Sequence, residues 1–136
     1  MGMEKRLLLQ NCALFDGETS RAGDRFTVII EDGRIVDVCT QGGSGREGDI
    51  IVDIGGRTLM PGLIDAHFHC NSPSLDVASI DRLHASYLAQ LARRHLEETL
   101  LRGFTTVRDA GGADRGLVNA IAEGLVAGPH LLICGK

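Results

Sequence analysis

The pattern of apolar residues changes abruptly at Pro61-Gly62, and this break constrains the chain more than any other feature. Before it, short β-branched runs are separated by turn residues. After it, strand-like runs alternate with helical ones. Such a chain is expected to hold two pieces: a small N-terminal β domain over residues 1–60 and an α/β portion over residues 61–136.

In the first piece, Leu7–Leu9 and Ala13–Phe15 are short apolar runs. Thr27–Glu31 and Arg34–Val38 predict two strands joined by Asp32-Gly33, a two-residue turn suited to type I′. Gln41–Gly48 reads as a Gly-rich loop. Ile50–Ile54 predicts another strand, and Gly55-Gly56 turns it into Thr58–Met60. No helix is expected in this region.

In the second piece, Leu63–His69 predicts a strand and residues 70–80 a loop rich in Ser and Asp. A helix is expected from Asp81 to Arg102, with Leu88, Leu91, Ala92, Leu96 and Leu100 on one face. Glu98 and Arg102 form an i,i+4 pair, and Gly103 is a natural stop. Phe104–Asp109 predicts a second strand. Asp114 can cap a helix over Arg115–Val126 that ends at Gly128-Pro129, and Leu131–Cys134 predicts a third strand. The order β-α-β-α-β implies parallel strands with right-handed crossovers. The third strand would leave an open parallel edge, so a second copy or further strands should cover it.

Apolar residues make up 43% of the chain, enough for a core, but aromatics are only 4%, so aliphatic side chains must fill it. The net charge is -4 with no basic block, which argues against nucleic acid as the main partner. The apolar run near the N-terminus is too short for a signal peptide or a membrane span. Cysteines at 12, 39, 70 and 134 form no C-x-x-C pair, and reduced thiols in a cytoplasmic protein are expected.

The chemistry concentrates in Pro61-Gly62-Leu63-Ile64-Asp65-Ala66-His67-Phe68-His69. On a strand, Asp65, His67 and His69 share one face, and Ile64, Ala66 and Phe68 the other. The apolar face suits packing on helices. Two imidazoles side by side suit a divalent metal, with Asp65 orienting the site behind them. Taken alone, H-x-H fits a pair of surface histidines near a strand end equally well.

The wider sequence resembles the amidohydrolase superfamily, whose first barrel strand carries a P-G-x-I-D-x-H-x-H pattern. The resemblance includes the Glu31–Ile35 hairpin, Arg102-Gly103-Phe104-Thr105-Thr106-Val107-Arg108-Asp109, and Gly128-Pro129. Its flavour is that of the prolidase-like and imidazolonepropionase-like branch. The resemblance implies an α/β fold: part of a composite β-sandwich, then the first β-α-β-α-β of a (β/α)₈ barrel, truncated here, with its site at the C-terminal ends of the strands. It implies His67 and His69 as metal ligands, for one or two divalent ions, zinc above all. The remaining ligands and the general base are expected beyond the last residue.

The function so implied is metal-assisted hydrolysis of an amide or other C–N bond in a small-molecule substrate, a dipeptide or acyl-amino acid for instance. The alternatives are hydrolytic deamination within the same superfamily and a non-catalytic assembly module or fragment. Other residues offer weaker signals. Lys136 could match the family's carboxylated Lys, but by strand order it follows strand three, and an exposed lysine is the better reading. Cys70 should point away from the histidines as a buried or idle thiol. Asp109 fits a loop cap as well as a site contact. Arg108 is expected to pair with a carboxylate, and His84, His95 and His130 to lie on the surface. Ala110-Gly111-Gly112 lacks the spacing of a dinucleotide fingerprint.

Overall fold

The computed structural model describes residues 6–40, 43–72, 80 and 82–135. Most of the Ser- and Asp-rich loop, Asp81 and Lys136 lie outside the described residues. The chain divides into two compact units, Met1–Pro61 and Gly62–Lys136.

The first unit is a five-stranded sheet built from β1 (Leu7–Phe15), β2 (Ser20–Glu31), β3 (Arg34–Thr40), β4 (Ile50–Asp53) and β5 (Thr58–Leu59). The order is β3-β2-β1-β4, with β5 also pairing β1. The β2–β3 hairpin closes at Asp32-Gly33, with φ of 50° and 72° at the two turn residues. Positive φ at both positions is what a type I′ turn demands.

The sheet departs from expectation in several places; β2 begins at Ser20 and not at the expected Thr27. Leu7–Phe15 is one strand and not two runs, because Asn11 takes a left-handed φ of 57° and the register with β2 shifts between Leu9 and Cys12. Asn tolerates that conformation better than most residues, so the strand bulges and continues. The β4 strand pairs parallel to β1, Leu7 facing Ile50, a non-local pairing that no turn signal encodes. Cys12, Phe26 and Val28 form the core of one face. Thr27 and Ile29 are buried on the other, where Gly43 approaches the side chains of Cys39, Ile29 and Thr27.

The second unit is a parallel three-stranded sheet in the order β6-β7-β8, from β6 (Leu63–Phe68), β7 (Phe104–Asp109) and β8 (His130–Ile133). The connections are α1 (Ala85–Leu101) and α2 (Arg115–Ala122). Phe68, Leu96, Val107, Val126 and Leu131 anchor its core. In α1, Ala92, Leu96 and Thr99 are buried at i, i+4 and i+7, while Leu88, Leu91 and Leu100 of the expected face are half-buried.

Both helices end on glycine in the left-handed region: Gly103 at φ 95° and Gly124 at φ 74°. After α2, Gly124 N–H donates to the Ile121 carbonyl at 3.0 Å and Leu125 N–H to the Ala120 carbonyl at 2.9 Å. This is a Schellman motif, and it stops α2 four residues before the expected Val126. The Asp114 side chain caps α2 as expected, accepting from Leu117 N–H at 3.2 Å.

Gly62 opens β6 under a tight constraint. A Cβ placed there would lie 2.0 Å from Thr105 Oγ1, so only glycine lets the start of β6 run beside β7. Among the described residues, no helix is long and apolar enough to cross a membrane.

Candidate metal centre

The two histidines of the H-x-H segment meet at the C-terminal end of β6. His67 sits inside the strand and His69 one residue past it. Their Nε2 atoms are 3.2 Å apart and their ring centroids 5.1 Å apart, with the rings steeply inclined. His67 is exposed and His69 half-buried, so the pair faces open space.

A bulge sets this geometry. Along the β6–β7 ladder Asp65 faces Val107 and Phe68 faces Asp109, so Ala66 and His67 together oppose Arg108 alone. Bulges re-aim side chains near sites of chemistry. Arg108 donates from Nη1 to the Ala66 carbonyl at 3.1 Å, where the sequence suggests a carboxylate partner. The carbonyl at the bulge is the nearer demand, since an unpaired backbone acceptor is costly.

Asp65 also plays another part than expected. Its Oδ1 accepts the backbone N–H of His67 at 2.9 Å and so supports the bulge, not an imidazole. The face expected to pack on helices is buried only at Phe68. Ala66 is exposed and Ile64 is 70% exposed, because β6 is an edge strand and the bulge breaks the alternation.

Beneath the pair lies a buried carboxylate that the sequence left undecided. Asp109 is fully buried at the end of β7. Its Oδ2 accepts from Cys70 N–H at 2.8 Å. Its Oδ1 accepts from Gly111 N–H at 2.9 Å and Ala113 N–H at 3.2 Å. The Gly111 carbonyl in turn lies 3.0 Å from His69 Nδ1. Asn71 adds a second tie, donating from Nδ2 to the Gly112 carbonyl at 2.7 Å. Only the Asp-x-Gly spacing after a strand hints at this in the sequence.

Cys70 is buried, and burial, with Asp109 beside it, pushes its thiol far above the ordinary range. A thiol so held stays protonated and is a poor ligand or nucleophile. His95 is not a plain surface residue: its ring stacks on Phe68 at 4.6 Å between centroids. His84 precedes α1 without a side-chain cap bond, and His130 is exposed at the start of β8.

The spacing of the histidines fits a metal. Zinc binds imidazole nitrogen at about 2.0–2.1 Å in tetrahedral geometry, which sets two such nitrogens roughly 3.3 Å apart. The observed 3.2 Å needs little adjustment. Among the described residues no group of three or more His, Cys, Asp or Glu could hold an ion. Beside His69 opens a cleft of about 990 Å³, lined among others by Asn71, Leu88, Arg93, Gly111 and Leu117.

Comparison with known proteins agrees on the lineage. The amidohydrolase family matches residues 58–136. In sequence the chain is 31% identical over 96 residues to a dihydropyrimidinase of Rattus norvegicus, a match covering 68% of this chain and 18% of that protein. It is 34% identical over 87 residues to an adenine deaminase of Dehalococcoides mccartyi (strain CBDB1), covering 62% and 14%. In structure it is similar to a prolidase complexed with N-methylphosphonate-L-proline, with a TM-score of 0.88, 34% identity, and coverage of 97% of this chain and 32% of that one. A Xaa-Pro dipeptidase with bound methionine follows with a TM-score of 0.83, 29% identity, and coverage of 97% and 34%. The chain thus spans about a third of these solved structures and less than a fifth of the sequence relatives. Its α/β fold is a small N-terminal β domain followed by the first β-α-β-α-β of a barrel, matching about a third of each of these solved structures. On the family match and the near-complete structural overlap together, this chain belongs to the amidohydrolase family.

Proposed function

We propose that this chain supplies the first metal-holding strand of a hydrolase acting on an amide or other C–N bond, with His67 and His69 as ligands of a divalent ion, zinc first. The observation that carries the reading is the 3.2 Å between the two Nε2 atoms at the C-terminal end of β6. A bound ion would supply Lewis acidity toward a carbonyl and lower the pKa of water. The chain's own residues bring the two Nε2 atoms together, hold the His69 ring through the Gly111 carbonyl, aim His67 by the bulge, and leave one side open to a small molecule; His67 Nε2 would give up its proton as an ion enters.

A catalytic zinc usually takes three protein ligands. The described residues offer two that converge, and no general base stands beside them. The expectation is weak metal binding and no turnover by this chain alone, with further strands or a second copy completing the site. Similarity to a prolidase and a Xaa-Pro dipeptidase favours a small dipeptide or acyl-amino acid as substrate. The match to an adenine deaminase supports a second reading, hydrolytic deamination on the same metal-holding strand.

The test is zinc titration of the purified chain by calorimetry, with His67→Ala and His69→Ala controls. Either substitution should abolish the heat of binding; an unchanged isotherm in both would remove the metal reading. Turnover of dipeptides, acyl-amino acids and aminopurines, followed as free amino acid or ammonia, separates the two reactions. Robust turnover by the chain alone would show that it draws ligands from elsewhere.

A further inference from the structure

We propose that Asp109 is a positioning residue that fixes the tautomer of His69, so that its Nε2 is the nitrogen left free for a metal. The proposal rests on the metal reading of His67 and His69 above. The link is made of backbone. A carbonyl oxygen can only accept, so the 3.0 Å contact between His69 Nδ1 and the Gly111 carbonyl is a hydrogen bond only when Nδ1 carries the proton. His69 Nε2 is then bare. With both rings neutral, the 3.2 Å contact in the metal-free pair is then a hydrogen bond only if His67 Nε2 donates to it.

What holds the Gly111 carbonyl at that place is Asp109. One carboxylate, fully buried, gathers three backbone N–H groups from two segments. Cys70 is the residue after His69, and Gly111 carries the carbonyl that His69 meets. The acid therefore sets the distance between a ring and its acceptor while touching neither the ring nor the space in front of it. A plain loop cap would need only the bonds to Gly111 and Ala113. The bond to Cys70 N–H adds the tie to the strand end that carries the histidine. Asn71, bonded to the Gly112 carbonyl, closes the same loop from its exposed side.

Asp109→Asn keeps the shape but replaces one acceptor by a donor where three N–H groups converge. The experiment is long-range ¹H–¹⁵N NMR of the full chain, labelled at histidine and free of metal, at about pH 8 where ordinary imidazoles are neutral. Wild-type His69 should show a single Nδ1–H tautomer. In Asp109→Asn the His69 ring should move to a mixture or to Nε2–H, with His130 unchanged as internal control. Zinc affinity should fall about 10–100-fold, the range seen when residues supporting a ligand are lost.

A wild-type His69 protonated on Nε2 overturns the proposal. So does a folded Asp109→Asn chain whose His69 tautomer is unchanged. If Asp109→Asn does not fold, Asp109→Glu carries the test, since it keeps the charge but displaces the oxygens from the three N–H groups; His69 should shift in the same direction, and a folded Asp109→Glu chain with His69 unmoved also overturns the proposal. Failure of the metal reading shows separately, as zinc binding that both His67→Ala and His69→Ala leave intact, and the metal-free tautomer still decides the role of Asp109.

Discussion

The two units of this chain set their aspartates at different places, about a sheet and its turns in the first and at strand ends and a helix start in the second. In the first unit, acids meet cations and amides of the same sheet or close their own turns. Asp49 pairs with Arg6 at 2.9 Å, Asp53 accepts from the Asn11 side chain at 2.9 Å, and Asp16 accepts from Thr19 N–H at 2.7 Å. In the second unit, Asp65, Asp109 and Asp114 all accept backbone N–H groups at the ends of strands and the start of a helix. The first use ties a sheet together. The second shapes the places where side chains project for chemistry, and leaves two imidazoles unsupported by any carboxylate among the described residues.

The largest effect expected from this contrast is at Asp109. Asp109→Ala strands three N–H groups, two of them buried, and should cost roughly 3–5 kcal/mol, read as the midpoint of chemical denaturation. Asp53→Ala, at the exposed rim of the first unit, should shift the midpoint far less. Equal losses would erase the distinction between the units.

Packing gives the next largest effect. Leu96→Ala should cost about 3 kcal/mol, and Leu8→Ala a similar amount, since both are fully buried. Hydrogen exchange sharpens the comparison. Leu96→Ala should release amides of β7 and leave those of β2 protected, and Leu8→Ala the reverse. Release of both sets by either change would mean that the two units unfold as one.

Gly62→Ala should cost about 2 kcal/mol through collision with Thr105, and Thr105→Gly in the same chain should recover most of it. Recovery by a partner so far along the sequence would mark the contact as specific.

Acid gives the smallest effect, and it falls on the first unit. Backbone N–H groups of Thr19 and Glu18 hold Asp16 below the usual carboxylate range, and Gly55 N–H, with Asn11, does the same for Asp53. A folded-state pKa below the unfolded value contributes stability that is present above the unfolded value of 3.8. That contribution is lost as pH falls through the folded value. Asp16→Asn with Asp53→Asn should therefore flatten the acid limb of stability, measured by thermal melts between pH 5 and about pH 2. An unchanged limb would show that neither aspartate contributes to it.

The sequence revealed these units unequally. Where a local rule decides, it read true: Asp32-Gly33 made its turn, Asp114 capped its helix, and Phe104–Asp109 formed its strand. The parallel pairing of β1 with β4 was invisible, because it joins residues far apart with no turn between them. The early end of α2 was legible in Gly124, but Gly128-Pro129 is the louder signal. In the candidate site, H-x-H and its position on a strand could be read directly. The bulge at Ala66-His67 could not, since it arises from register with β7. Asp109 was undecided because its partners are backbone amides, and those carry no side-chain signature.

The bare face of Gly62 has a consequence at the other end of β6. Two parallel strands joined through a helix have no hairpin to index them, so something must say which residue lies beside which. Gly62 does this by exclusion. If β6 slid back by one residue, Leu63 would have to occupy the space that Thr105 fills. The glycine thus acts as the datum from which the height of the strand is measured. His67 and His69 reach the level of Gly111 because a residue with no side chain, at the opposite end of the strand, fits in only one place.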